Sequence, residues 1–312
     1  MKAPRRLVHG GAGLAALLLA AAPAAAQQVA DTAYRRAPVR PAYAAGRGPV
    51  VAIDEAHHNF HTAGGRYLAF AELLLRDGYV VRATPRPFTA EALRGVDVLV
   101  VANALGERNA ERENWALPTP SAVSPDEIVV VRAWVERGGA LLLIADHMPF
   151  AGAARDLGAA FGLSWSNGFA MEPGLRGPMP FVRADGSLPP HVVRDGRSAA
   201  ERVDSIYSFT GSAFRAPQGA RPVLVLRSGV VSFEPQRAWQ FSDSTPRQPA
   251  AGWLQGATLV VGRGRVAVFG EAAMFSAQLD DGSRMGMNHP LARRNWQFVL
   301  NVLHWLTGLL PG

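Results

Sequence analysis

Val50-Val51-Ala52-Ile53-Asp54-Glu55-Ala56-His57-His58-Asn59-Phe60-His61 decides how this chain is read. Four apolar residues run into two acids, and three of the chain's eight histidines then fall within five positions. A short apolar run bounded by polar residues predicts a buried parallel strand. Open α/β sheets place their ligands beyond the carboxyl ends of such strands.

Working outward, the same rhythm recurs. Residues 67–76 carry Tyr67, Phe70, Leu73 and Leu74 at helical spacing, and Gly78 closes the segment. Strands are predicted at 79–83, 96–102 and 140–145, and a short helix after Thr89. Ser124-Pro125-Asp126-Glu127 predicts a helix start, with serine as cap, proline at the first position and acids in the first turn. Residues 150–161 read as helical and 222–226 as a strand. Residues 257–261 and 265–269 read as paired strands joined by Gly262-Arg263-Gly264, and residues 291–309 as the last helix. Strands alternating with helices predict an α/β fold with a doubly wound, mostly parallel sheet. Residues 163–222 break the rhythm with Gly, Pro and Ser and predict an irregular or β-rich insertion. One α/β domain is therefore expected over 49–310, preceded by a flexible lead-in over 27–48 that is rich in Ala, Pro and Arg.

Composition narrows the function. With 48% apolar and 18% charged residues in 312, the chain has the makeup of a globular protein with a sizeable core. Residues 1–26 have the form of a signal peptide: Lys2, Arg5 and Arg6, an apolar stretch too short to span a bilayer, and Ala24-Ala25-Ala26 as a cleavage site. A periplasmic or secreted protein without a membrane span is expected. Removing those three cations lowers the formal charge of +7 by three. The remaining arginines form no long basic run, which argues against nucleic-acid binding. Cysteine is absent, which excludes disulfides, thiolate chemistry and a lipid anchor on cysteine. Lys2 is the only lysine, so the mature chain has no P-loop or Schiff-base lysine. Neither H-E-x-x-H nor G-x-S-x-G occurs.

Three predicted strand ends carry chemistry: residues 54–61, Asp146-His147 and Glu271. In a parallel sheet they share one rim. Asp54, His57, His61, Asp146 and His147 are candidate ligands for a divalent metal. With Glu271, the same residues suit general acid–base catalysis. Asn59 and Asn288 are candidate positioning groups. Trp115 lies in a long polar loop, residues 103–124, of the kind that forms lids. Like Trp165, Trp239 and Trp253, it could stack on a sugar ring or fold back onto the core. Read singly, Asp54 and Asp146 are also explained as caps of the segments that follow them.

The order Asp54-Glu55-Ala56-His57-His58-Asn59, then Leu142-Leu143-Ile144-Ala145-Asp146-His147, then Val268-Phe269-Gly270-Glu271-Ala272-Ala273-Met274-Phe275 resembles a bacterial family, the domain of unknown function 4350. The resemblance covers about residues 48–308. It implies a flavodoxin-like fold similar to class I glutamine amidotransferases and trehalose-utilisation-like proteins. The amidotransferase reaction does not carry over, because it needs a cysteine nucleophile. The resulting expectation is a metal-assisted or His/carboxylate hydrolase acting on a small polar or carbohydrate-like substrate. The alternative is a non-catalytic periplasmic ligand-binding or envelope assembly domain.

Overall fold

The computed structural model describes residues 28–312; the expected signal peptide lies outside the described residues. The first half of the chain forms β1 (Gln28–Ala30), β2 (Val50–Asp54), α1 (Leu68–Arg76), β3 (Val80–Thr84), β4 (Val98–Ala102), α2 (Pro125–Glu136), β5 (Ala140–Ile144), α3 (Phe150–Ala153) and α4 (Arg155–Ala159). The insertion adds β6 (Ser164–Trp165), β7 (Phe169–Met171), β8 (Met179–Val182), α5 (Val192–Asp195), β9 (Ser205–Ser208) and β10 (Phe214–Arg215). The chain closes with β11 (Arg221–Val225), β12 (Val231–Phe233), β13 (Arg247–Pro249), β14 (Leu254–Val261), β15 (Gly264–Phe269), β16 (Ala277–Asp280), β17 (Ser283–Gly286) and α6 (Asn295–Leu306).

Nine strands form one mixed sheet in the order β3-β2-β4-β5-β15-β14-β10-β6, with β11 also on β14. β3, β2, β4, β5 and β15 run parallel. β14 is antiparallel to β15, β10 and β11, and β6 is antiparallel to β10. The expected mostly parallel sheet is thus corrected to a mixed one. The cause is local: Gly262-Arg263 joins β14 to β15, and so short a link permits only antiparallel pairing. Counted in chain order, the five parallel strands are arranged 2-1-3-4-5, so the order reverses between β2 and β4.

The central strands β4 and β5 are buried along their whole length, as their Val- and Leu-rich runs require. One face packs Val51, Val100 and Leu142 against Phe70 of α1 and Phe298 of α6. The other packs Leu99, Val101 and Leu143 against Val131 and Val135 of α2. The α2 start is a full capping box between Ser124 and Glu127. The residues after Thr89 form a turn and no helix, although Thr89 Oγ1 accepts from the Ala92 amide. No helix among the described residues is long and apolar enough to cross a membrane.

Residues 28–48 of the expected lead-in carry defined contacts. β1 pairs antiparallel with β16. Asp77, fully buried after α1, accepts from the Ala42 amide at 2.8 Å and from His304 Nε2 of α6 at 2.7 Å. One carboxylate thus ties the lead-in, α1 and α6 together, which composition does not encode. Removing one partner of a buried pair strands the other's polar group. Asp77→Ala is expected to lower stability by about 3 kcal/mol in urea denaturation. A loss no larger than that of a surface substitution would contradict this role.

Candidate functional site

The carboxyl ends of β2, β4 and β5 meet at Asn103, the first residue after β4. Its backbone is left-handed, φ +49°, a region asparagine tolerates better than most residues. Its amide donates to Ile144 O at 2.9 Å, its carbonyl accepts from the Phe60 amide at 3.0 Å, and its Oδ1 accepts from the Asp146 amide at 2.9 Å. One residue thereby holds the loops after β2 and β5 side by side.

Beside it opens a cavity of about 350 Å³. His61, Asp146 and His147 line it, with aromatic walls from Phe60, Trp115, Phe150 and Trp239. Larger clefts lie elsewhere, about 630 Å³ beside Asn288, about 510 Å³ beside Trp296 and about 500 Å³ beside Trp253. None of the three is at the carboxyl ends of the parallel strands, so the smaller cavity is the candidate site.

His147 Nδ1 lies 2.5 Å from Met148 O, and a carbonyl only accepts, so Nδ1 carries the proton and Nε2 keeps its lone pair. The ring stacks on Phe169 with centroids 4.3 Å apart, and Trp239 stands edge-on at 4.7 Å. Burial lowers the pKa of His147 below the ordinary imidazole value and outweighs the opposing charge of Asp146. His61 is pushed well below that value by burial first and by Arg66 second. Gln278 Nε2 lies 3.4 Å from His61 Nε2 and donates to it, so the proton sits on Nδ1, which has no partner among the described residues. Asp146 Oδ1 accepts from the His147 amide at 2.7 Å and Oδ2 from the Ala272 amide at 3.4 Å.

The remaining candidates separate from this cavity. His57 Nδ1 faces both oxygens of Asp54, at 3.0 and 2.9 Å, and its Nε2 faces Glu127 Oε1 at 3.0 Å. Both partners are acceptors, so both ring nitrogens donate and the ring is an imidazolium. Burial opposes that charge, but Asp54 and Glu127 together raise the pKa of His57. With no lone pair, His57 serves neither as base nor as metal ligand. Asp54 also accepts from Asn59 Nδ2 and from the Ala56 amide. Asp54, His57 and Asn59 therefore form a knot that shapes the loop. Glu271 is fully buried and accepts from the Ala273 and Met274 amides at 2.8 and 2.7 Å, so it caps its own turn and does not line the cavity. Burial first, and the charge of Asp146 second, push its carboxyl well above the usual range. Asn288 binds Asp31 and Gln278 O and lines a different cleft.

The expected metal set of Asp54, His57, His61, Asp146 and His147 does not assemble. No group of three or more His, Asp or Glu side chains among the described residues is arranged to hold an ion. The reason is the pairing just described, which consumes Asp54 and His57.

Sequence reasoning did not reach Asn103, Arg112, Thr210 or Phe169, all at or against this cavity. Asn103 had a readable signal, an asparagine directly after a Val-rich strand. Phe169 and Thr210 come from the insertion, where no periodicity marks a side chain's direction. Gly211, at φ +135°, lets that segment pass against the Gly270 carbonyl, where a Cβ would clash.

No family model and no curated protein matches the chain. Among solved structures it is similar to the mmIFT52 N-terminal domain, at 14% identity and TM-score 0.58, over 82% of this chain and 97% of that one. It is also similar to the cytoplasmic protein STM3548 from Salmonella typhimurium (14%, TM-score 0.47, 83% and 99%). A ThuA-like protein from Bacteroides uniformis is a further neighbour (12%, TM-score 0.43, 87% and 94%). At 14% identity the first likeness shows the fold and nothing of the chemistry. The other two scores are too low to carry an argument.

Asn103→Ala is expected to cost about 3 kcal/mol. One to two of these come from the left-handed backbone, and roughly one to three from the orphaned Asp146 amide. Asn103→Gly should recover about 1 kcal/mol of the backbone part. Chemical denaturation of both variants checks this; equal losses would refute the backbone contribution.

Proposed function

We propose that this chain is an exported hydrolase of the domain of unknown function 4350 family, with a flavodoxin-like core, acting on a small polar or carbohydrate-like substrate through His147 and Asp146. The observation that carries the reading is one cavity at the strand ends in which a neutral imidazole with a free Nε2 stands beside a carboxylate. Export rests on the pattern of residues 1–26.

The chemistry follows from protonation states. Water donates its proton to His147 Nε2 as its oxygen attacks the substrate, and the scissile bond breaks toward the leaving group. His147 then returns the proton to that group. Asp146 stabilises the imidazolium while it exists. His61, neutral, stands in the wall of the same cavity. The indole and phenyl walls suit the apolar face of a sugar ring. No step runs through a metal, because the donor set does not form.

A second reading, a binding module without chemistry, is favoured by one observation: both oxygens of Asp146 are held by backbone amides. Assays with chromogenic glycosides and esters separate the two. Turnover is expected in the wild type, and His147→Ala should lower kcat/KM by about 10²–10⁴. Since the pKa of His147 is lowered, the base is already free at neutral pH. The acid limb of the pH profile should therefore lie below 6.5, the ordinary imidazole value. Ligand binding without turnover would favour the module. An acid limb above 6.5 would contradict the assignment of His147.

A further inference from the structure

One aromatic side chain stands at the cavity in a conformation that its packing does not explain. Among the described residues, four other than glycine have a left-handed backbone: His58, Asn103, Trp239 and Asp281. Asparagine, aspartate and histidine tolerate that region, whereas a bulky residue there is an outlier. Trp239, at φ +67°, is the bulky one. It is the third residue of a turn over 237–240, closed by the Gln240 amide donating to Arg237 O at 3.2 Å. Turns with a left-handed third residue normally place glycine or asparagine there. The turn is fastened to the long loop: the Ala238 amide donates to Trp115 O at 2.8 Å, and Ala116 pairs with Arg237.

Backbone strain of this kind clusters where ligands are held. Trp239 is also the one tryptophan that stays exposed, at 47%. Of the other loop tryptophans, Trp115 is buried, Trp165 packs against Phe214, and Trp253 lies under Arg215. Trp239 meets His147 and Phe169 edge-on, at 4.7 and 4.8 Å between centroids, and leaves the rest of its ring to water.

Two cavities meet at this ring. Trp239, Trp115 and Arg112 line both the cavity beside His147 and an adjoining cleft of about 330 Å³. The outer cleft adds the exposed side chains of Arg237 and Gln240. Arg237 gives one N–H group to Glu113 O, and neither side chain makes another hydrogen bond among the described residues.

We infer that the outer cleft is a second binding subsite, and that the ligand is a chain of at least two sugar units, one beside His147 and the next against Trp239. An indole offers an apolar face to a sugar ring. A planar guanidinium and a side-chain amide offer several N–H donors to its hydroxyls. The sugar chemistry and the inner position rest on the reading above. The two-part site does not, since it follows from the strained, exposed Trp239 and the shared walls.

Calorimetry and tryptophan fluorescence on the purified protein test this. Glucose, galactose, mannose and N-acetylglucosamine are compared with 1,4-linked disaccharides of the same sugars. At least one disaccharide should bind about ten-fold or more tightly than its monosaccharide. In Trp239→Gly that preference should fall to within about two-fold, while the fold survives because glycine suits the turn. Arg237→Ala removes only an exposed side chain and should reduce the preference by at least about three-fold. Absence of any disaccharide preference would overturn the inference, and so would an unchanged preference in a folded Trp239→Gly. Should that variant fail to fold, an unchanged preference in Arg237→Ala would overturn it instead. Disaccharide preference without turnover would leave this inference standing and remove the catalytic reading. Turnover of monosaccharide glycosides with no gain from a second unit would do the reverse.

Discussion

The site depends on one asparagine. Asn103 spends its amide, its carbonyl and its side-chain oxygen on three different segments, and its left-handed backbone lets all three point the right way. Because β2, β4 and β5 are adjacent in the sheet, their ends are neighbours whatever the loops do. Adjacency alone does not aim side chains. The Asn103 bonds fix where Phe60 and Asp146 begin, and so where His61 and His147 stand.

Protonation divides the histidines by task. His57 sits between two acceptors and is held charged, which makes it a clamp between the β2 loop and α2. His147 and His61 sit among aromatic rings and are held neutral by burial. Behind the cavity, Glu271 is driven toward its neutral form by burial and by Asp146. Neighbouring groups pushed in opposite directions mark acid–base sites in general. Here the charged His57 supports the loop, and the neutral His61 and His147 line the cavity.

Much of the scaffold was legible in the sequence. The Val- and Leu-rich runs of β4 and β5 and the Ser124 capping box carry their structure locally. Convergence of Asp146, His147 and His61 followed from strand polarity. What periodicity could not convey was pairing at a distance. Glu127 reads as a helix cap and is also the partner of His57, 70 positions away. That second bond removed Asp54 and His57 from the expected metal set. In the antiparallel half of the sheet the β14–β15 pair and β11 were legible, whereas β6 and β10 escaped because they are two-residue strands defined only by their partners. The lead-in, poor in pattern, is fixed by Asp77 and by β16.

Imidazole ¹⁵N NMR of the full chain, followed through a pH titration, tests most directly whether His147 is the neutral, Nδ1-protonated ring at the cavity. The account predicts one protonated Nδ1 and one lone-pair Nε2 at neutral pH, a protonation midpoint below 6.5, and a rise of that midpoint in Asp146→Glu smaller than in a variant that opens the cavity to water, Trp239→Ala. A His147 ring that titrates at or above 6.5, or that carries its proton on Nε2, would contradict it.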